Sequence, residues 1–322
     1  MSTKHSFTCI SLLALLGVGA VGCTAAGDSL VPEERVPVQL CARDGVLSRT
    51  ATADNLPEQE FDATVALSTV QGEYASLSGT YEGARDATVK KDGSMEWKVA
   101  TGSEPVYPPS GDWLYLTAFA PAAVPVGGVA SIVLTGQTDL LYAGELRGNK
   151  WDGERFAGNN LVADRPVQFN HLLTQLCFKA CKALASGVSV TITKITVNEA
   201  QPCVALPLAT GIPVFSTSAD HPAGLTLIPA ESGTEVNSTT AVEVGSLQLP
   251  PLQASGTYTL TVETSIGIFD NLAVSYESGD NLLQAGMSHT VTLTLSDHEL
   301  GITSVTAQPW TPVAVDGSLE AE

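Results

Sequence analysis

Basic side chains are scarce in this chain: 15 Lys and Arg stand against 34 Asp and Glu in 322 residues, a formal net charge of -19. Nucleic-acid binding draws on clustered cations that release counterions from phosphate, so that partner class is excluded. Cysteine is sparse too, with six residues, too few for a disulfide scaffold at this length. The usual catalytic signatures are missing: no G-x-S-x-G, H-E-x-x-H or P-loop string occurs. The histidines beyond the start of the chain (His171, His221, His289, His298) are dispersed, and no carboxylates pair up for acid–base work. No enzyme activity, catalytic residue, cofactor or metal is therefore expected. One G-x-G-x-x-G string, Gly17 to Gly22, lies in an apolar leader and not between a strand and a helix, so it is fortuitous.

That leader has the order of an export signal: Lys4 and His5, an apolar run over residues 10–21, then small residues ending at Gly22 before Cys23. The run is too short for a stable bilayer span. Ala20-Val21-Gly22-Cys23 resembles a bacterial lipobox, with Ala where Leu is commonest. Removal of residues 1–22 and acylation of the Cys23 thiol are expected, an ordinary secretory signal being the alternative. Residues 23–35 follow as a tether without periodicity. Cys9 leaves with the signal, so Cys41, Cys177, Cys181 and Cys203 remain for the folded part. Buried free thiols, one disulfide and a metal half-site are the readings available, and no ligand at zinc spacing supports the last.

What the folded part has in abundance is period-two alternation. Trp113, Tyr115, Thr117 and Phe119 share one face, with Leu114, Leu116 and Ala118 on the other. Tyr258, Leu260 and Val262 alternate with threonines, as do Val291, Leu293 and Leu295, the pattern of half-buried antiparallel strands. Lys91-Asp92-Gly93 punctuates a hairpin and suggests a type I′ turn. Val188, Val190 and Ile192 change parity at Ile195 and Val197, which predicts a bulge near Lys194. Residues 105–111, 121–128 and 144–160 are rich in Pro and Gly and read as loops, and 159–166 is the best domain boundary. One stretch conflicts: Leu172, Leu173, Leu176, Cys177, Ala180, Cys181 and Leu184 recur at helical spacing. On a helix the two cysteines would be neighbours, and on a strand they would lie about 13 Å apart.

The landmarks Tyr107-Pro108, Gly111-Asp112-Trp113-Leu114-Tyr115, Ala118-Phe119-Ala120-Pro121 and Asp139-Leu140-Leu141-Tyr142-Ala143 come in a telling order. They are followed by a Val167-to-Leu176 segment, Tyr258 to Val262, Leu283-Gln284-Ala285-Gly286 and Pro309-Trp310. In that order the chain resembles the fimbrillin family of Bacteroides-type bacteria, which builds type V pili and related surface lipoproteins. The resemblance implies an all-β fold of two tandem transthyretin-like β-sandwiches, here residues 36–164 and 165–315, before an acidic tail at 316–322. It resolves the segment around residues 171–185 toward strand. It also implies an outer-membrane, lipid-anchored precursor cut by an Arg-specific protease after the first strand, residues 36–42. The opened groove would then receive a strand from another fimbrial subunit. Arg49 matches the cleavage position best, with Arg43 and Arg35 as rivals. The C-terminal segment 302–315 is the candidate donor, its alternative being the last strand of its own sandwich.

A second functional segment is the loop over residues 147–156, where Lys150, Trp151, Arg155 and Phe156 mix charge with aromatics. A host or glycan receptor could stack on Trp151, which would suit a tip adhesin or a glycan-binding lipoprotein. The alternative is that Trp151 merely pins the loop to the folded body.

Overall fold

Alternation decides the architecture. The computed structural model describes residues 35–44, 60–158, 165–184, 189–229, 232–252, 256–274, 283–296 and 299–309. Among them every regular element is a β-strand, so the fold is all-β. Strands β1 (Leu40–Asp44), β2 (Phe61–Ser68), β3 (Gly83–Val89), β4 (Ser94–Trp97), β5 (Leu114–Ala120), β6 (Pro125–Val126), β7 (Val129–Leu134), β8 (Leu141–Gly148) and β9 (Val167–His171) come first. Then follow β10 (Thr174–Lys182), β11 (Val190–Val197), β12 (Cys203–Pro207), β13 (Val214–Phe215), β14 (Leu225–Leu227), β15 (Thr234–Val236) and β16 (Val242–Leu249). The chain finishes with β17 (Thr259–Thr264), β18 (Gly267–Ala273), β19 (Met287–Leu295) and β20 (Leu300–Pro309).

Seven strands close into a barrel in the order β1-β4-β3-β2-β5-β8-β9. Every neighbouring pair is antiparallel except the closing one, where β1 runs parallel to β9 with Ala42 opposite Val167. Each strand sends an apolar side chain inward: Leu40, Val65, Ala87, Met95, Leu116, Leu141 and Val167 share one buried cluster. β5 is buried on both faces, because Leu114, Leu116 and Ala118 line the barrel while Phe119 faces a second cluster behind it.

The later strands form two facing sheets, β16-β10-β19-β20 and β14-β11-β17-β18, with β15 also paired to β11. Their shared core holds Leu176, Phe178, Ile192, Ile195, Leu247, Leu260, Val262, Val291 and Leu293. The bulge predicted near Lys194 is present, since the β11–β17 register shifts between Ile192 and Lys194 and leaves Ile192 and Ile195 both buried.

A small third sheet, β13-β12-β7-β6, connects early and late sequence. β7 and β12 are antiparallel, with Leu134 opposite Cys203 and Ala130 opposite Leu206. Their inner side chains pack with Phe119, Leu140, Tyr142 and Leu173, and the Tyr142 hydroxyl donates to the Leu208 carbonyl at 2.7 Å.

The conflicted segment is strand. β10 is bordered along its length by β16 and β19, so ladder pairing and the burial of Leu176, Phe178 and Ala180 outweigh a local helical preference. Cys177 and Cys181 stand half-buried on its other face, and neither they nor Cys203 form a disulfide.

Three expectations are corrected. The Lys91-Asp92-Gly93 hairpin is not type I′, because only Gly93 has positive φ (83°); its N–H donates to the Lys90 carbonyl at 2.9 Å. A turn followed by one left-handed glycine is the next commonest hairpin connection after the two-residue turns. The loop expected from residue 144 begins at Asn149, since β8 runs to Gly148 and absorbs Gly144 and Glu145 where the β5–β8 register slips. The first strand lies later than expected, at Leu40–Asp44. Pro37 has no N–H to give a ladder, and residues before it touch the body through the Pro37–Val106 bridge and the Val36 carbonyl.

Burial in β19 holds the His289 imidazole well below its ordinary value, at about 4. An unfolded chain takes up that proton near pH 6.5, before the folded one does. The stability His289 allows is thus complete above about pH 6.5 and is lost as pH falls toward about 4. Urea titrations across this window should show wild type losing stability faster than His289→Leu, and parallel curves would refute the assignment.

Candidate functional site

Two places carry the residues singled out by sequence. One is the closing strand. Leu40, Cys41 and Ala42 of β1 are buried, as is Val38 just before it, yet the ladder is short. β4 meets β1 only at Leu40–Met95 and Cys41–Ser94, and β9 only at Ala42, Arg43 and Asp44. The Ala42 N–H donates to the Gly93 carbonyl at 2.6 Å, and Trp97 Nε1 donates to the Val38 carbonyl at 2.8 Å. Arg43 is a half-buried strand residue, Arg35 is exposed ahead of the strand, and Arg49 and Cys23 lie outside the described residues. At the other end of the chain, β20 pairs with β19 from Leu300 to Pro309. Residues 302–309 of the candidate donor thus form the last strand of their own sheet, and residues 310–315 lie outside the described residues.

The other place is the β8–β9 loop. The Asn149 N–H donates to the Glu154 carbonyl at 2.9 Å, the Glu154 N–H to Trp151 at 3.0 Å, and the Trp151 N–H to Asn149 Oδ1 at 3.0 Å. Phe156 is buried and stacks on Tyr107 with ring centroids 5.7 Å apart. Arg155 Nε donates to the Lys150 carbonyl at 2.9 Å, and its guanidinium meets Asp152 at 3.2 Å. Lys150 Nζ donates to the Pro109 carbonyl and sits 4.7 Å from the centroid of the Trp151 ring. Trp151 is 57% exposed, but it is not free on all sides: its Nε1 edge lies where a side chain at Gly111 would be, 2.6 Å from an added Cβ. It therefore both pins the loop and presents indole surface to solvent.

Sequence reading missed the clamp on this loop. Arg165 pairs with Glu154 and donates to the Arg147 and Glu154 carbonyls at 3.1 Å each. Arg147 lies 4.5 Å and Arg165 5.8 Å from the Trp113 ring centroid. Tyr107 stands in the sequence only as a landmark, yet its N–H donates to the Val36 carbonyl at 3.0 Å and its hydroxyl accepts from the Phe156 N–H at 2.8 Å. It touches both places at once. Burial pushes its hydroxyl up to about 12, which keeps it neutral. A run of scattered Arg and aromatic residues was the only signal in the sequence, and its pairing is non-local.

Chemistry is thinly represented. His171 Nδ1 contacts Asp139 Oδ2 at the β8–β9 end of the barrel, with His171 buried and Asp139 partly exposed. Burial pushes the thiols of Cys41, Cys177 and Cys203 up, which makes them poor nucleophiles. Among the described residues no group of three or more His, Cys, Asp or Glu is placed to hold a metal ion.

Residues 51–310 match the fimbrillin-like family, and the chain belongs to it. No curated protein sequence matches. Among solved structures, the chain is similar to a candidate cell adhesion protein from Bacteroides ovatus, at TM-score 0.53 and 15% identity, covering 86% of this chain and 98% of that one. It is likewise similar to a candidate cell adhesion protein from Bacteroides uniformis, at TM-score 0.50 and 16% identity, covering 86% and 99%. At those identities the likeness speaks for the fold.

Gly111 combines φ +83° with contact against the Trp151 indole. Gly111→Ala should cost about 1–2 kcal/mol from backbone strain alone and swing the indole outward, read as a red-shifted tryptophan emission. Unchanged emission would mean the ring is not held there.

Proposed function

We propose that the protein is a structural subunit of a cell-surface fimbria that supports adhesion. In this reading it is exported as a lipoprotein acylated at Cys23, reaches the outer membrane, and joins other fimbrial subunits by strand complementation after an Arg-specific cut. The observation that carries the reading is β1, a strand rich in core contacts and poor in ladder bonds. Its departure would bare the edges of β4 and β9 together with the groove that Leu40 and Ala42 fill, and an extended apolar segment from a neighbour restores both. The three arginines differ in what a cut would release. Cleavage after Arg35 leaves β1 in place, and Arg43 lies within the paired strand. Arg49 follows β1, so a cut there frees the whole of it. On the donor side, residues 310–315 can be given to a neighbour without dissolving the β19–β20 ladder.

Treatment of the purified precursor with an Arg-specific protease should yield a form beginning at Thr50 that assembles into fibres visible by electron microscopy, and Arg49→Gln should block both steps. Fibres from Arg49→Gln, or a cut wild type that stays monomeric, would overturn the mechanism.

A surface glycan-binding lipoprotein or unpolymerised tip adhesin is the second reading, favoured by the exposed indole of Trp151 on a clamped loop. It calls for glycan-array signals that Trp151→Ala abolishes with the fold intact; signals indifferent to that change dismiss Trp151 as the contact.

A further inference from the structure

The sheet β13-β12-β7-β6 has a second face, turned away from the core. Register assigns its side chains: Val126 lies opposite Val129, Val129 opposite Pro207, Ser131 opposite Ala205, and Ala205 opposite Val214. Alternation along β7 adds Val133. Val126 is 77%, Val133 68% and Val214 45% exposed, and the adjoining Val124 and Ile212 are exposed as well. Both contributing segments are devoid of charge: residues 113–138 and 200–219 contain no Asp, Glu, Lys, Arg or His. In a chain of net charge -19 this is an uncharged, valine-rich sheet face open to solvent, and contiguous exposed apolar surface of that kind marks an interface.

Its shape selects how a partner sits. The outer strands β6 and β13 are two residues long each, too short to template an added strand, so the contact is face to face. β-branched side chains standing on a pleated sheet interdigitate well with another such face. Charge selects the partner. A second copy of this chain brings the same strong negative charge, and two copies approach with least repulsion where neither carries an ionised group. An anionic membrane is repelled as a whole, and a cationic protein would be drawn to the acidic surface elsewhere.

We propose that the outer face of β6-β7-β12-β13 is a docking surface for the same face of a second copy, a lateral contact independent of strand exchange. In a two-fold pair Val133 of each copy lies near the centre and Val126 and Val214 toward the sheet edges, so the patch is self-complementary.

The test uses the Arg49→Gln protein, in which cleavage after that residue cannot contribute, so its result stands apart from that of the assembly mechanism. Sedimentation velocity over a concentration series should show reversible dimerisation. Val133→Glu and Val214→Glu, which set like charges face to face, should each weaken it at least about tenfold. Ile268→Glu, on exposed β18 of another sheet, should leave it unchanged, and near-ultraviolet circular dichroism checks that each variant is folded. A monomer at every concentration, association indifferent to Val133→Glu and Val214→Glu, or pelleting with neutral phosphatidylcholine vesicles that Val133→Glu abolishes would each overturn the proposal.

Discussion

The barrel is held shut by the burial of a few side chains on one short strand. β1 gives two residue pairs to β4 and three to β9, while Val38, Leu40 and Ala42 are buried in the barrel cluster. Full burial of a Val or Leu side chain is worth about 1.5–3 kcal/mol, and a ladder bond nets about 1 kcal/mol. The attachment of β1 and the residues just before it thus rests on apolar side chains about as much as on backbone pairing. A closing element of that kind is replaceable in principle, because any extended segment with apolar residues at the same alternate positions recovers most of the same free energy. The parallel register to β9 matters for the same reason: β9 is antiparallel to β8 on its other side, so it stays anchored in the barrel whichever strand occupies the closing position.

How far sequence alone carries depends on how local the cause is. β17 and β19 were legible because one face is core and the other threonine, a pattern complete within each strand. The 172–184 stretch carries a competing helical period because Leu172 and Leu173 precede β10 and the half-buried Cys177 and Cys181 count as apolar. Only the two flanking strands decide its conformation. The bulge at Lys194 could be foreseen from a parity change, whereas the slip at Gly144 and Glu145 depends on β5 opposite. The third sheet was out of reach, because pairing residues 129–134 with 203–207 leaves no mark in either segment except a shared lack of charge. The loop around Trp151 was found by composition. Its clamp by Arg165 was not, since that residue lies beyond the stretch the composition marks.

That shared lack of charge is informative in view of the whole composition. Acidic residues outnumber basic ones more than twofold, so a neutral sheet face is not a dilute sample of the average surface. The inner face of the same sheet explains why the strands are apolar, as Ala130, Ile132, Leu134 and Leu206 fill the cluster behind the barrel. It does not explain Val126, Val133 and Val214, which gain nothing from that core. Solvation alone would favour threonine or charge at those positions, as the outward Thr290, Thr292 and Thr294 of β19 illustrate.

The two candidate places meet at Tyr107, and this limits how independently they can act. Its main-chain N–H holds the carbonyl of Val36 ahead of β1, and its hydroxyl holds the amide of Phe156 at the base of the loop. The stacked Phe156 ring belongs to the same buried cluster as Val38 and Leu40. Loss of the residues before and within β1 would therefore take away both a hydrogen-bond acceptor for Tyr107 and part of the packing under the Trp151 loop. A replacement strand that fills the Leu40 position but offers no carbonyl at the place of Val36 would leave the Tyr107 N–H without that bond, at a cost of about 1–3 kcal/mol if it stays buried. Any segment that closes this barrel is thus constrained at its backbone as well as at its side chains, and the conformation of the exposed loop depends on which segment does so.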